Sequence, residues 1–100
     1  MVKHIVMWKF KENAEGKTKA ENIEFVKESL YALVGVIDKI KKMEIGVDIS
    51  HTDMSMDMVL LTEFESVEDM KAYAVDPEHV KVSTYVKKVV ESRVVLDYDM

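Results

Sequence analysis

Two kinds of hydrophobic repeat alternate along the chain, and their order restricts the fold more than any other feature. The segment 2–10, VKHIVMWKF, carries apolar side chains on alternating positions, which is typical of a β-strand. From Thr18 the apolar spacing changes to three and four residues, which predicts an amphipathic helix that ends near Gly35. Thr18 and Glu21 match a capping box, so we expect the helix to begin there.

The strand pattern returns three more times. It predicts strands over 42–50, 56–64 and 93–99, whereas the polar segments 11–17 and 50–57 are typical of loops. The four predicted strands leave two stretches for helices, one before the second strand and one before the last.

The second helical stretch is interrupted by the only proline of the chain. Ser66 and Asp69 form a cap pair that predicts a short helix through about Val75. Asp76–Pro77 predicts a new start, because Asp is a good N-cap and proline is favoured at the first helical position. We expect this further helix to end near Ser92.

The order β-α-β-β-α-β predicts an α+β, ferredoxin-like fold: a four-stranded antiparallel sheet with the helices on one face. One hundred residues suit a single domain, 1–100. The first, third and fourth strands, however, are apolar on both faces near their centres: in the first, Ile5 and Met7 oppose Val6 and Trp8. A bare apolar sheet face is unusual on a monomer, so we expect a homodimer whose two sheets close into a barrel.

Composition excludes several function classes. The net charge of −5, with lysines scattered among glutamates, argues against a nucleic-acid partner. Without cysteine there is no disulfide, thiolate metal site or thiol nucleophile. No apolar run approaches the roughly 20 residues of a membrane span, and MVKHIVMWKF is too short and polar for a signal peptide, so we expect no membrane partner. The lack of cysteine fits a cytoplasmic location.

No cofactor is expected, because the chain has no Gly-rich phosphate loop and no HExxH or GxSxG motif. His51, Asp53 and Asp57 could suggest a metal, but they lie in one polar segment without metal-ligand spacing, and we expect a solvated loop and no metal. We also expect a solvated helix face at a set of three lysines: Lys81, Lys87 and Lys88.

The segment 72–82, AYAVDPEHVKV, contains the strongest candidate site. Tyr73 precedes the predicted helix start and His79 lies in its first turn. An imidazole can take a proton from a carbon acid near neutral pH, and a phenol can donate a hydrogen bond to the enolate oxygen. The alternative is structural: a core tyrosine and a histidine bonded to a backbone carbonyl. His4, on an apolar strand face, is either a satisfied core histidine or a polar group of the same pocket.

Three segments carry a resemblance to a known family: VKHIVMWKFK (2–11), TEFESVEDMKAYAVDPEHVKV (62–82) and LDYD (96–99). They resemble the stress-responsive dimeric α/β-barrel proteins, or Dabb domains, whose half-barrels dimerise through their sheets. Many members have no assigned activity, but a plant branch contains a polyketide cyclase that performs an intramolecular aldol condensation without metal or cofactor. The resemblance implies that His79 is a base, that Tyr73 assists it and that His4 lies in the pocket.

From the resemblance we expect a modest apolar pocket between sheet and helices. Its predicted polar and catalytic residues are His4, Tyr73 and His79, and its predicted apolar lining is Val6, Trp8, Leu30, Leu60 and Val82. The chain departs from the cyclase branch, because aliphatic groups and lysine replace aromatic pocket walls. We therefore favour binding of a small apolar or phenolic carbonyl compound. The alternatives are a cofactor-free cyclase, lyase or monooxygenase with His79 as base and Tyr73 as donor, and a structural dimer without a ligand site.

Overall fold

A computed structural model describes all residues, 1–100. Its elements in chain order are β1 (Val2–Phe10), β2 (Asn13–Ala14), β3 (Lys17–Thr18), α1 (Lys19–Tyr31), β4 (Lys42–Val47), β5 (Met58–Phe64), α2 (Val67–Val75), α3 (Pro77–Val89) and β6 (Val90–Asp99). None of the three helices is both long and apolar enough to cross a membrane.

The main sheet has four antiparallel strands in the order β4-β5-β1-β6, which confirms the predicted ferredoxin-like fold. Strand β1 is central and pairs with both β5 and β6. The register places His4 between Thr62 and Asp97, and Trp8 opposite Arg93. Because directly opposed residues in an antiparallel pair point to the same face, Asp97 and Arg93 accompany His4 and Trp8 on the helix side of the sheet.

The core lies between the helices and one face of the sheet. Its fifteen buried apolar residues come from alternate positions of the strands and from one side of each helix: Val2, Val6, Trp8, Phe10, Val26, Leu30, Leu33, Ile37, Ile40, Met58, Leu60, Phe64, Tyr73, Val86 and Val89. Alternate strand positions share one face, which is why β1 and β5 each show buried residues at every second position.

The other sheet face has no helix over it. Its centre is apolar and partly exposed, as the sequence predicted, with Met7 39%, Val94 51% and Leu96 60% exposed. Ile5 and Leu61 lie opposite each other on the same face. This outer face is therefore a continuous apolar surface on one side of a small domain.

The predicted helix starts are present. Thr18 accepts a hydrogen bond from the Glu21 backbone N–H, and the Glu21 carboxylate accepts from the Thr18 N–H, which completes the capping box. At the second start, the Asp76 carboxylate accepts from the Glu78 N–H, with Pro77 as the first helical residue. Both helices thus begin where their polar caps satisfy otherwise free backbone donors.

Several predicted ends of helices and strands were wrong. Helix α1 ends at Tyr31, and Gly35 lies in the following turns. The second and third strands are shorter than predicted, over 42–47 and 58–64. The last strand is longer: it begins at Val90 rather than after Ser92. Val90 fits both the three- to four-residue spacing of α3 and the two-residue spacing of β6, so periodicity alone could not separate them.

The sequence predicts a plain loop over 11–17, and this prediction is wrong. The segment contains a short hairpin in which Ala14 pairs with Lys17, with positive φ at Glu15 (51°) and Gly16 (75°). Positive φ at both central positions is typical of a type I′ turn, whose twist matches that of the strands. The buried Asn22 amide donates to the Ala14 carbonyl, which ties the hairpin to α1.

Candidate functional site

A cavity of about 240 Å³ opens between the helix side of the sheet and the helices α2 and α3. All eight predicted site residues lie around it: His4, Val6, Trp8, Leu30, Leu60, Tyr73, His79 and Val82. Its wall is mainly apolar, with a few polar groups, the usual composition of a small-molecule site. The geometry therefore brings the predicted residues together, while their binding and catalytic roles stay predictions.

The break between α2 and α3 sets the position of His79. In a continuous helix the Ala74 carbonyl would accept the N–H of Glu78, four residues on. Here the Asp76 side chain takes that N–H at 2.9 Å, and Pro77 has no N–H to give. The Ala74 carbonyl is therefore free, and Nδ1 of His79 lies 3.1 Å from it.

This contact fixes the tautomer of His79. A carbonyl only accepts hydrogen bonds, so Nδ1 must carry the proton, and in the neutral ring Nε2 keeps its lone pair. Burial lowers the pKa of His79, and the nearby His4 and Arg93 lower it further. The hydrogen bond to Ala74 and the charge of Asp76 partly offset this lowering of the pKa. The ring is thus neutral at pH 7, with a basic nitrogen available.

Tyr73 lies beside His79, with the ring centroids 4.2 Å apart, and its other side contacts Phe64 at 5.1 Å. The residue is 2% exposed, and its hydroxyl has no protein group within hydrogen-bond distance. Burial raises the pKa of Tyr73 to about 12, so the phenol stays protonated. Thr62 has the second unpartnered buried hydroxyl, but only Tyr73 lines the cavity.

His4 has a carboxylate partner that sequence reasoning missed. Its Nδ1 lies 2.5 Å from Asp97 Oδ1, and the two side chains are 15% and 40% exposed. A carboxylate accepts from Nδ1–H and so directs Nε2 of a neutral His4 away from it. The pair could not be read from the sequence, because the two residues lie 93 positions apart and meet only through the register of β1 and β6.

Three basic residues at the cavity were also missed: Lys71 on α2, Lys87 on α3 and Arg93 on β6. Lys87 is exposed but lines the cavity rather than belonging only to a solvated helix face. A signal existed, because His79, Ser83 and Lys87 follow one another at four-residue steps, which places them on one side of a helix.

Other candidates lie elsewhere in the fold. The Tyr31 hydroxyl accepts from the Ile45 N–H, outside the cavity. Asp57 accepts from the Phe10 N–H at 2.7 Å and pairs with Lys19, so its carboxylate is engaged in joining β1 to the polar segment before β5. His51 is exposed and lies near Asp48 instead.

The arrangement combines a neutral imidazole nitrogen, a protonated phenol and an apolar wall. A carbonyl oxygen could accept from the Tyr73 hydroxyl, and a neighbouring C–H could approach Nε2 of His79. Tyr73 lies near the end of α2, and His79 lies near the start of α3.

Residues 2–100 match the family described as the Stress Responsive A/B Barrel Domain, Dabb. The chain belongs to the Dabb family. A relative in Cannabis sativa, olivetolic acid cyclase, is 30% identical over 99 residues, covering 97% of this chain and 94% of that protein.

Solved structures share the Dabb fold. A dimeric protein of unknown function with a ferredoxin-like fold from Bacteroides fragilis has a TM-score of 0.81 and 30% identity, covering 99% of this chain and 95% of that one. Hydroxynitrile lyase from Passiflora edulis has a TM-score of 0.84 at 19% identity, covering 99% of this chain and 92% of that one. At that identity the second likeness concerns the fold alone.

The unpartnered hydroxyl of Tyr73 gives a stability prediction. Tyr73→Phe should raise the free energy of unfolding by about 1–3 kcal/mol, because it removes an unsatisfied buried polar group without breaking a hydrogen bond. Tyr85→Phe is the matched control: its hydroxyl donates to the buried Asn22 at 2.6 Å, so the loss should cost about 1–2 kcal/mol. Urea unfolding at one protein concentration measures both; equal losses would show that the Tyr73 hydroxyl is satisfied.

Proposed function

We propose that this Dabb protein binds a small apolar or phenolic carbonyl compound in the cavity between β1, α2 and α3. The observation that carries the proposal is the buried, unpartnered hydroxyl of Tyr73, a residue that lines the cavity. A buried donor without a partner is costly, and a ligand oxygen would satisfy it. The apolar wall around it, including Trp8, Leu60 and Val82, suits a hydrocarbon or aromatic body.

The ligand would lie with its carbonyl oxygen toward the Tyr73 hydroxyl and its apolar part along β1. Nε2 of His79, left free by the Ala74 contact, would then be close to the atoms next to the carbonyl carbon. A cavity of about 240 Å³ suits one ring with short substituents rather than a large cofactor.

A second candidate function is proton abstraction next to that carbonyl. The neutral His79, whose pKa lies below its ordinary value, would take the α-proton on Nε2 as the C–H bond breaks, and Tyr73 would stabilise the enolate oxygen. The enolate would then attack a second carbonyl, as in an aldol condensation. The 30% identity to a protein named olivetolic acid cyclase adds support. The remaining alternative, a structural dimer without a ligand site, does not explain why the Tyr73 hydroxyl is buried without a partner.

We also propose a homodimer that packs outer face against outer face. The apolar centre of this face has mixed charges around it, Lys3 and Lys9 from β1 and Glu63 from β5, so a two-fold partner could place opposite charges together. A shallow groove of about 370 Å³ beside Met7 and Val59 continues the apolar surface. Similar structures from Bacteroides fragilis and Thermobifida fusca are described as dimeric.

The binding proposal is tested with two compounds that differ only in the carbonyl, 4′-methoxyacetophenone and 4-ethylanisole. The ketone should bind about five- to tenfold more tightly, because only it accepts from the Tyr73 hydroxyl. Tyr73→Phe should remove this preference and Tyr85→Phe should not, as measured by NMR titration of amides around the cavity. Equal affinity of the wild type for both compounds, or no shifts at the cavity, would contradict the proposal.

Proton abstraction is tested by following the acetyl protons of the same ketone in D₂O. The protein should accelerate their exchange, and His79→Gln should reduce the acceleration by about 10²–10⁴-fold while binding is retained. Because the pKa of His79 is lowered, the exchange rate should rise with pH as the imidazole loses its proton, and the midpoint of that rise should lie below 6.5, the ordinary pKa of histidine. If the protein binds the ketone but does not accelerate the exchange above the rate in buffer, the proposal of proton abstraction is contradicted and only the binding function stands.

The dimer is tested by a pair of neighbouring substitutions. Leu96→Glu places a charge in the apolar part of the outer face, next to Ile5, and should convert the dimer to a monomer, as light scattering after size exclusion would measure. Val95→Glu is the matched control, since Val95 is 48% exposed but points to the helix side of the sheet. A wild-type monomer, or dissociation by Val95→Glu alone, would argue against this interface.

A further inference from the structure

We infer that the compound bound in this cavity carries a carboxylate or a similar anionic group, held at the cavity mouth by Arg93, Lys87 and Lys71. The inference rests on the proposed function, because it concerns a second end of the same ligand. It adds a charge requirement that neither the apolar wall nor the pair of Tyr73 and His79 imposes.

The three cations have no acidic partners. Six of the remaining eleven Lys and Arg residues are in ion pairs with Asp or Glu, whereas none of the three at the cavity is. Neighbours of Lys87 show the contrast: Lys88 pairs with Glu15 at 3.9 Å and Lys81 with Glu78 at 3.2 Å. The cations that face the cavity are thus left without a counter-charge from the protein.

The cations reach the mouth from three different elements. A solvated helix face would supply lysines from one helix at regular spacing, but Lys71, Lys87 and Arg93 belong to α2, α3 and β6. Arg93 is brought there because it lies opposite Trp8 on the helix side of β1. Their convergence depends on the tertiary fold, as expected for a binding site rather than for general solubility.

The acids near the cavity are already engaged. Asp97, the only acid that lines it, is bonded to His4, and Asp76 accepts the Glu78 N–H at the start of α3. Three cations and one carboxylate line the cavity, so its lining is locally positive although the chain carries a net charge of −5. A local potential opposite to the net charge selects anions at that point and repels them elsewhere on the surface.

The position of the charges relative to Tyr73 limits the ligand class. The carbonyl end lies at Tyr73 and His79 in the interior, while the three cations are exposed at the rim. A suitable ligand is a keto acid or aromatic carbonyl acid, with an apolar middle and its acid group at the far end from the reacting carbonyl. Guanidinium and ammonium groups together suit either a carboxylate or a phosphate-like anion.

The test uses 4-acetylbenzoate and its neutral analogue 4-acetylbenzamide, which present the same acetyl group. At about 20 mM NaCl the benzoate should bind about fivefold more tightly, and this preference should shrink toward one at about 500 mM NaCl. The double variant Lys87→Gln/Arg93→Gln should lose the preference and keep its affinity for the amide. Lys81→Gln/Lys88→Gln removes the same charge from exposed positions outside the cavity and should keep the preference.

The outcomes separate the two proposals. If both compounds bind equally well to the wild type, the anion inference is overturned while carbonyl binding stands. If the control double variant loses the preference as much as the cavity variant does, the effect comes from net charge and the assignment to the three cations is overturned. If neither compound shifts the amides around the cavity, the proposed function fails and the inference fails with it.

Discussion

Strand β1 is hydrogen-bonded along both edges, and the two registers decide which groups can meet on each side of the sheet. Pairing with β6 places Asp97 beside His4 and Arg93 beside Trp8 on the helix side. Pairing with β5 aligns Ile5 with Leu61 on the outer side. Since the side-chain period of a strand is two, a shift of one residue would exchange these faces and remove both the cavity and the apolar outer surface. The hydrophobic residues on each face fix the register.

A second constraint comes from the two residues that separate α2 from α3. Asp76 and Pro77 redirect backbone hydrogen bonds that a continuous helix would use, and the Ala74 carbonyl becomes the partner of His79. The break therefore does more than end a helix. It sets the imidazole tautomer and holds the ring 4.2 Å from that of Tyr73, so a local backbone feature determines which ring nitrogen of the neutral imidazole keeps its lone pair.

The sequence was sufficient where local chemistry decides the structure. The caps at Thr18 and Asp76 and the element order follow from hydrogen-bonding preference and periodicity. It was insufficient where two periods overlap, as at Val90, and where the register joins distant residues, as for His4 and Asp97. The resemblance to the Dabb family supplied the group of cavity residues, which spacing alone would not have assembled.

The free-energy cost of leaving the Tyr73 hydroxyl unpaired supports a functional interpretation of the cavity. Leaving a buried donor such as the Tyr73 hydroxyl unpaired costs about 1–3 kcal/mol, a large share of the 5–15 kcal/mol that stabilises a typical domain. Phenylalanine would fill the same space beside Phe64 and avoid that cost. The three cations that line the cavity have no acidic partner within the protein. A ligand with an interior oxygen and an anionic end would give partners to both the hydroxyl and the cations, whereas a purely structural role would account for neither.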